Sequence, residues 1–288
     1  YGTVRNDIDY LKAFNFHYVI LDESQFIKNP GSKMAKAVNE LEAGFRLTLT
    51  GTPIENSVND LWSQINFLNK GLLGNQAYFQ KNYVQEIEKK NNREKADKLH
   101  AMIKPFVMRR TKSQVATELP EKTEKVVYCT MTEEQESMYE EVKSKYRNLI
   151  LEDIQKNGLG KTKINLLQGL MKLRQIANHP KFVDEEYDGG SGKFDESSVT
   201  IPTAIKEGHK ILIFSSFVKH LSIFVEYADE HKIPYCYIDG STPAGERKKQ
   251  VSRFQSDPDI KLFFISLKAG GFGLNLTEAD YVFILDPW

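Results

Sequence analysis

Apolar residues recur along the chain at two alternating periods. Near the start, "HYVILDES" is a short apolar run stopping on acids, and "SKMAKAVNELEA" has helical spacing opened by Ser32. "FRLTLTGTP" then alternates Phe45, Leu47 and Leu49 at strand period, and "SVNDLWSQINFLN" returns to helical spacing. Such alternation predicts α/β packing around a mostly parallel sheet. From about Gly74 to Lys104 the chain turns polar and helical, and the charge-rich "EIEKKNNREKADKLH" reads as a solvated face.

The middle is mostly helical. "TEEQESMYEEVKSKYRNLILEDIQKN" opens with a capping box, Thr132 and Gln135, and sets Met138, Val142, Tyr146, Leu149 and Ile150 on one stripe. "INLLQGLMKLRQIAN" stops at His179-Pro180, because a residue before proline resists helical geometry. "DEEYDGGSGKFDESS" is rich in Gly, Ser and acid and reads as a hinge. Strand and helix then alternate again through "KILIFSSF", "HLSIFVEYADEH", "YCYIDGS", "PAGERKKQVSRFQS", "KLFFISL" and "YVFILD", a second parallel-sheet lobe.

Composition narrows the classes without choosing among them. At 288 residues, 40% hydrophobic and 11% aromatic, the chain can build two cores. Its 39 basic and 39 acidic side chains cancel, so a bound polyanion must be gripped by local patches and backbone donors. Cys129 and Cys236 lie far apart, which removes a disulfide framework and a structural zinc site and suits a reducing, intracellular setting. No long uncharged apolar run or signal pattern points to a membrane. The ends, "YGTV" and "ILDPW", read as cuts in something longer.

The candidate chemistry sits where strands end. Asp22 and Glu23 close the first apolar run. A nucleotide hydrolase presents a Mg²⁺ carboxylate and a water-orienting carboxylate in this way, but acids also end strands merely to cap the next turn. "LTLTGTPIEN" runs a strand into hydroxyl-bearing residues that suit either coupling to a nucleotide site or an ordinary turn. "NGLGKTK", residues 157–163, imitates a phosphate loop, yet Gln155 stands where the pattern needs glycine and a helix, not a strand, precedes it. It reads as an interhelical connection. "SLKAGGFGLNLT" and "DGST" are loops after strands whose backbone N–H groups can approach a phosphate closely, or can simply turn the chain.

In order, "YGT", "LDESQFIKN", "LTLTGTPIEN", "FVMRRTKSQV", "LMKLRQIANHP", "KILIFSSF", "DGST" with "ER", and "SLKAGGFGLNLTEADYVFILDPW" resemble the SWI/SNF-type ATPases, the DNA-translocating branch of helicase superfamily two. The compact spacing is similar to that of bacterial members. The resemblance implies two RecA-like parallel-sheet lobes with helical protrusions between them. Residues 1–73 would be the back half of the first lobe and 74–180 the helical protrusions together with the lobe-to-lobe connection. Residues 181–198 would be a linker and 199–288 a truncated second lobe. It further implies ATP as substrate with Mg²⁺, double-stranded DNA and DNA-bound proteins as partners, a monomer, and a cytoplasmic or nucleoid location in a bacterium.

By position, Asp22 would hold Mg²⁺, Glu23 would orient the attacking water, and Gln25 would sit near the γ-phosphate. Thr50, Gly51 and Thr52 would tie hydrolysis to DNA contact. Gly240, Ser241, Ser266 and Lys268 would touch DNA phosphates, with Gly271 and Gly273 lining the nucleotide cleft. Arg109 and Arg110 would brace the junction between lobe and protrusion. The family's P-loop and arginine finger are not among the 288 residues, so the chain alone is expected to be inactive. Ser24 stands where the family more often has Ala or Gly and is small enough to be harmless. The family has an amphipathic helix at "KFDESSVTIPTAIKEGHK", where "SSVTIP" with Pro202 is a poor helix former and predicts either a distorted segment or one from which residues are missing. A shortened DNA-binding scaffold or an RNA helicase are the alternatives.

Overall fold

A computed structural model describes residues 1–52, 57–157, 163–270 and 274–287, with side chains 156 and 157 excepted. The chain divides into two compact units, Tyr1–Lys122 and Thr123–Trp288.

In the first unit, β1 (Asn15–Leu21) pairs in parallel with β2 (Glu42–Thr48), with Tyr18 opposite Phe45 and Ile20 opposite Leu47. Between them runs α1 (Lys33–Glu40), whose N-cap Ser32 accepts a hydrogen bond from the Ala35 N–H at 3.1 Å. After β2 comes α2 (Val58–Leu68), capped by Ser57. One face of this two-stranded sheet is packed: Val19, Leu21, Ile27, Ala35, Val38, Leu41 and Phe67 form a buried cluster. Arg46 closes it by donating to the carbonyls of Leu41 and Phe67 at 2.6 and 3.0 Å. On the other face Tyr18, Ile20, Phe45, Leu47 and Leu49 are all exposed. Their alternation is the expected one; their burial is not supplied by any described residue.

The polar stretch beyond Gly74 is helical, as expected, through Gln76–Phe79, a π-helical segment Gln80–Lys89 and α3 (Arg93–Ile103). The charge-rich part, residues 86–100, is mostly exposed, with Leu99 its one buried side chain among the described residues. Phe79, Tyr83, Val84 and Leu99 are buried with Leu61, Trp62, Ile65 and Leu73 in one cluster, which anchors it to α2.

The second unit begins with a helix pair, α4 (Glu133–Asn157) and α5 (Lys163–Asn178). They pack closely enough that a Cβ on Gly169 would sit 2.9 Å from the ring of Tyr146. Thr132 caps α4 through its hydroxyl, accepting from Gln135 N at 3.2 Å, but the Gln135 side chain does not fold back to complete a capping box. Its amide instead donates to Ile176 O at 2.7 Å and accepts from Gly192 N at 3.1 Å.

The sheet of this unit is fully parallel: β3 (Ile211–Ser215), β4 (Tyr235–Ile238), β5 (Leu262–Ser266) and β6 (Tyr281–Ile284) lie in the order β4-β5-β3-β6. Three helices cover it, α6 (Gly192–Lys206), α7 (Val218–Glu230) and α8 (Ala244–Ser256). Ile211, Ile213, Leu262 and Phe264 pack with α6 and α7, whereas Leu212, Phe263 and Ile265 pack with Phe254 of α8 on the opposite face. Burial on both faces is why these strands read as unbroken apolar runs.

Three expectations change. Residues 74–180, expected as helical protrusions and the lobe-to-lobe connection, are shared between the units at 122/123: the first part packs on α2, and the second is tied to the second unit by Gln135. Residues 181–198, expected as a linker, are built into the second unit, where Phe182 is buried and Ser191 caps α6 by accepting from Phe194 N at 3.3 Å. The segment expected to be distorted is a continuous fifteen-residue helix with Pro202 inside it. Burial of Ile201 and Ala204 against the sheet, together with the Ser191 cap, outweighs the hydrogen bond that proline forfeits. No described helix is long and apolar enough to cross a membrane.

Candidate active site

Parallel strands aim their C-terminal ends at one sheet edge, and the sequence-predicted residues follow those ends. In the first unit β1 delivers Asp22 and Glu23, and β2 delivers Thr50, Gly51 and Thr52. Leu49 N donates to Leu21 O at 2.8 Å and Ser24 N to Leu49 O at 3.0 Å, so pairing continues past both strands and sets the two loops side by side.

Glu23 has φ 50° and ψ 51°, a left-handed backbone unusual for a residue with a Cβ. Asp22 Oδ1 accepts from Glu23 N at 2.9 Å, which leaves Oδ2 of this exposed carboxylate without a partner among the described residues. A hard cation held by one carboxylate and substrate phosphates needs no more than that from the protein. No group of three His, Cys, Asp or Glu gathers elsewhere among the described residues as a metal site.

A hydrogen-bond chain leads away from Glu23. Gln25 Nε2 donates to Glu23 Oε2 at 2.8 Å, Thr50 Oγ1 donates to Gln25 Oε1 at 2.8 Å, and Thr52 N donates to Thr50 Oγ1 at 3.1 Å. Gln25 is thus the link between the two loops. Gly51 is exposed, and a Cβ there would meet nothing within 4 Å among the described residues.

Tyr1 belongs to this edge, a role that "YGT" did not reveal. Its hydroxyl donates to Asp22 O at 2.7 Å, and its ring packs on Phe26 at 5.3 Å. Burial, then the charges of Asp22 and Glu23, push its phenol up to about 12.

In the second unit, Asp239 organises the loop after β4. Its Oδ1 accepts from Ser241 N and Oγ at 2.8 and 2.6 Å and from Thr242 N at 3.1 Å. The Ser241 hydroxyl, chiefly, holds the Asp239 carboxyl below its usual range. Arg247 of the "ER" pair donates to the carbonyls of Thr242 and Asp239 at 2.8 and 3.0 Å. Gly240 stays exposed, and a Cβ there would meet nothing within 4 Å.

After β5, Lys268 is exposed on a single helical turn, Leu267–Gly270. Ser266 is buried, and its Oγ has no hydrogen-bond partner among the described residues. Gly271 and Gly273 lie outside the described residues. Arg109 and Arg110 are both exposed.

"RQIANHP" proves to be a structural knot. Arg174 lies 3.7 Å from Asp286, which is buried and also accepts from Ser216 N at 3.0 Å. Asn178 O accepts from Ser191 Oγ at 3.1 Å, and Asn178 Oδ1 from Lys193 Nζ at 2.6 Å. Lys193 also reaches Leu285 O at 3.0 Å. The motif therefore fastens α5 to the start of α6 and to the end of β6.

Two family models cover the chain, and they meet between residues 182 and 193, further along than the division between the two compact units. Residues 1–182 match the SNF2-related domain and 193–288 the helicase conserved C-terminal domain. The chain is 34% identical to an uncharacterized ATP-dependent helicase of Mycoplasma genitalium over 288 residues, all of this chain and 27% of that protein. It is 33% identical to the human TATA-binding protein-associated factor 172, again over all of this chain but 19% of that protein. It thus spans about a quarter of the length of such curated relatives or less. The Sulfolobus solfataricus SWI2/SNF2 ATPase core in complex with dsDNA matches all of this chain and 61% of its own, at 37% identity and TM-score 0.53. With the family model covering residues 1–182, and two parallel-sheet units presenting their loops at strand C-termini, the chain belongs to the SNF2-related, helicase-type ATPases.

Proposed function

We propose that the chain is part of an ATP-driven motor that moves along double-stranded DNA and displaces proteins bound to it. The observation that carries this reading is the hydrogen-bond chain Glu23–Gln25–Thr50–Thr52. It joins a carboxylate suited to orienting water with a hydroxyl-rich loop suited to a second ligand, as coupling of hydrolysis to DNA requires.

In hydrolysis Asp22 would hold Mg²⁺ with its unpartnered oxygen, and the ion would neutralise charge developing on the β- and γ-phosphates. Glu23 orients and deprotonates the attacking water. Gln25 holds Glu23 through its amide nitrogen and senses Thr50 through its amide oxygen, so a ligand that shifts the Thr50–Thr52 loop alters the carboxylate's position. Gly51 and Gly240 leave room for a DNA backbone to approach, Lys268 supplies charge, and Ser241 and Ser266 supply hydroxyls. Ser241 N–H and Oγ both donate to Asp239 already, so Ser241 contacts a phosphate only by giving up one of those bonds. Ser266 contributes only if the turn after it opens, since its Oγ is covered. Gly271 and Gly273 complete the reading as nucleotide contacts. The protein works inside the cell, as a monomer.

The 288 residues contain no P-loop and no arginine finger, so the chain alone does not turn over ATP. The test is DNA-stimulated ATPase of the whole protein that carries this chain, with Glu23→Gln beside it. Turnover falls by about 10²-fold or more on that change. Wild-type turnover in Glu23→Gln removes the assignment, and equal stimulation by duplex DNA and single-stranded RNA removes the substrate.

A further inference from the structure

The turn that carries Glu23 is bolted to α2 by two adjacent side chains. Ser24 is fully buried and its Oγ donates to Oε1 of Gln64 at 2.7 Å, itself buried in α2. Three residues on, Ile27 O accepts from Ser63 Oγ at 2.5 Å. Both ends of the 3-10 turn Ser24–Ile27 are thereby fixed to α2 through positions 63 and 64.

This fastening matters because of what precedes it. A left-handed residue with a side chain persists only where its surroundings over-determine it. At Glu23 the fixed points are Asp22 Oδ1 on its N–H, Phe26 N on its carbonyl at 3.1 Å, and Ser24 clamped by Leu49 O and Gln64. The Glu23 carboxylate makes one hydrogen bond among the described residues, to Gln25 of the same turn. Where that carboxylate points therefore depends on the turn as a whole. Ser24 does more than fit its space: an alanine there would remove the hydroxyl that ties the turn to Gln64.

We propose that Ser24 and Gln64 are positioning residues for hydrolysis, holding the Glu23 carboxylate where it orients the attacking water. The inference rests on the reading of Glu23 given above. A purely structural role makes a different prediction, because replacing both members of a buried hydrogen bond by apolar groups of similar shape is nearly neutral for stability.

The experiment is steady-state ATP hydrolysis by the whole protein with saturating duplex DNA. It compares wild type, Ser24→Ala, Gln64→Leu, the double variant and Glu23→Gln, with rates divided by the folded fraction from circular dichroism. Positioning predicts that kcat per folded molecule stays down by about tenfold in the double variant, whatever its thermal midpoint, because Gln64 also donates to Asp60 O, while KM for ATP stays within twofold. Wild-type kcat in the double variant, with Glu23→Gln inactive, overturns the positioning role and leaves the Glu23 assignment standing. Full turnover in Glu23→Gln overturns that assignment, and this inference with it. If the double variant does not fold, Ser24→Ala alone decides by the same split of kcat from KM, and wild-type kcat there overturns the proposal.

Discussion

The hydroxyl of Thr50 donates to Oε1 of Gln25 across 2.8 Å, joining the loop after β2 to the turn after β1. Because the same Gln25 amide holds Glu23, Thr50 and Gln25 act on the carboxylate in series. Thr50→Val and Gln25→Ala should each lower DNA-stimulated ATPase of the whole protein by about tenfold. The pair together should lose little more than the worse single change, a coupling on the order of 1 kcal/mol. A double-mutant cycle on kcat checks this, and strict additivity would show the two residues to be independent.

His220 is fully buried among Phe182 and Phe224, with neither ring nitrogen hydrogen-bonded among the described residues. Burial, chiefly, and then the nearby charges of Lys193 and His179 lower its pKa to about 3. In the unfolded chain the ring takes a proton near 6.5, so its contribution to stability is intact above that pH and drains away as pH falls toward 3. Urea denaturation followed by hydrogen exchange at β3 and β5 should show wild type losing stability across this range. His220→Met should flatten the slope.

Gly192 marks a close approach of two backbones. A Cβ there would lie 1.8 Å from the carbonyl oxygen of Thr130, an atom that cannot swing aside. Gly192→Ala should destabilise the second unit at or above the upper end of the roughly 1–3 kcal/mol typical of overpacking. Gly245→Ala, also in a helix but with nothing within 4 Å of the added carbon, should cost nothing sterically. Paired unfolding curves compare the two.

Burial disfavours the ionised phenol of Tyr1, and the charges of Asp22 and Glu23 beside it raise its pKa further. Its folded pKa, about 12, lies above the ordinary 10, so its contribution is complete below pH 10 and lost as pH climbs toward 12. Absorbance titration should show one fewer late-ionising phenol in Tyr1→Phe. The variant keeps the ring contact with Phe26 but forfeits the hydrogen bond to Asp22 O, a loss of about 1 kcal/mol in stability.

What could be read along the chain was what local spacing encodes. The periods of "HYVILDES", "KILIFSSF" and "KLFFISL" marked β1, β3 and β5, Ser32 marked the start of α1, and Pro180 marked the stop of α5. The acids and hydroxyls at strand ends were legible for the same reason, because a parallel sheet sends every strand's C-terminus to one edge. Ordered motifs then identified the family, although no one of them did so alone.

Other features depend on partners far away in sequence. Gln135 carries the signature of a capping box, yet its amide is taken by Ile176 and Gly192, the nearer of them 41 residues on. Pro202 argues against a helix in its own neighbourhood, while the energy that keeps α6 helical comes from the sheet beneath Ile201 and Ala204. Ser24 seemed only small until Gln64, 40 residues later, supplied an acceptor. Tyr1 showed no role until the fold brought its hydroxyl to Asp22. By itself the sequence determined where strands and helices run and which chemistry stands at their ends. Tertiary structure alone decided which of those groups touch, because a hydrogen bond or a buried face is set by distance in space, and spacing along the chain reaches only a few residues.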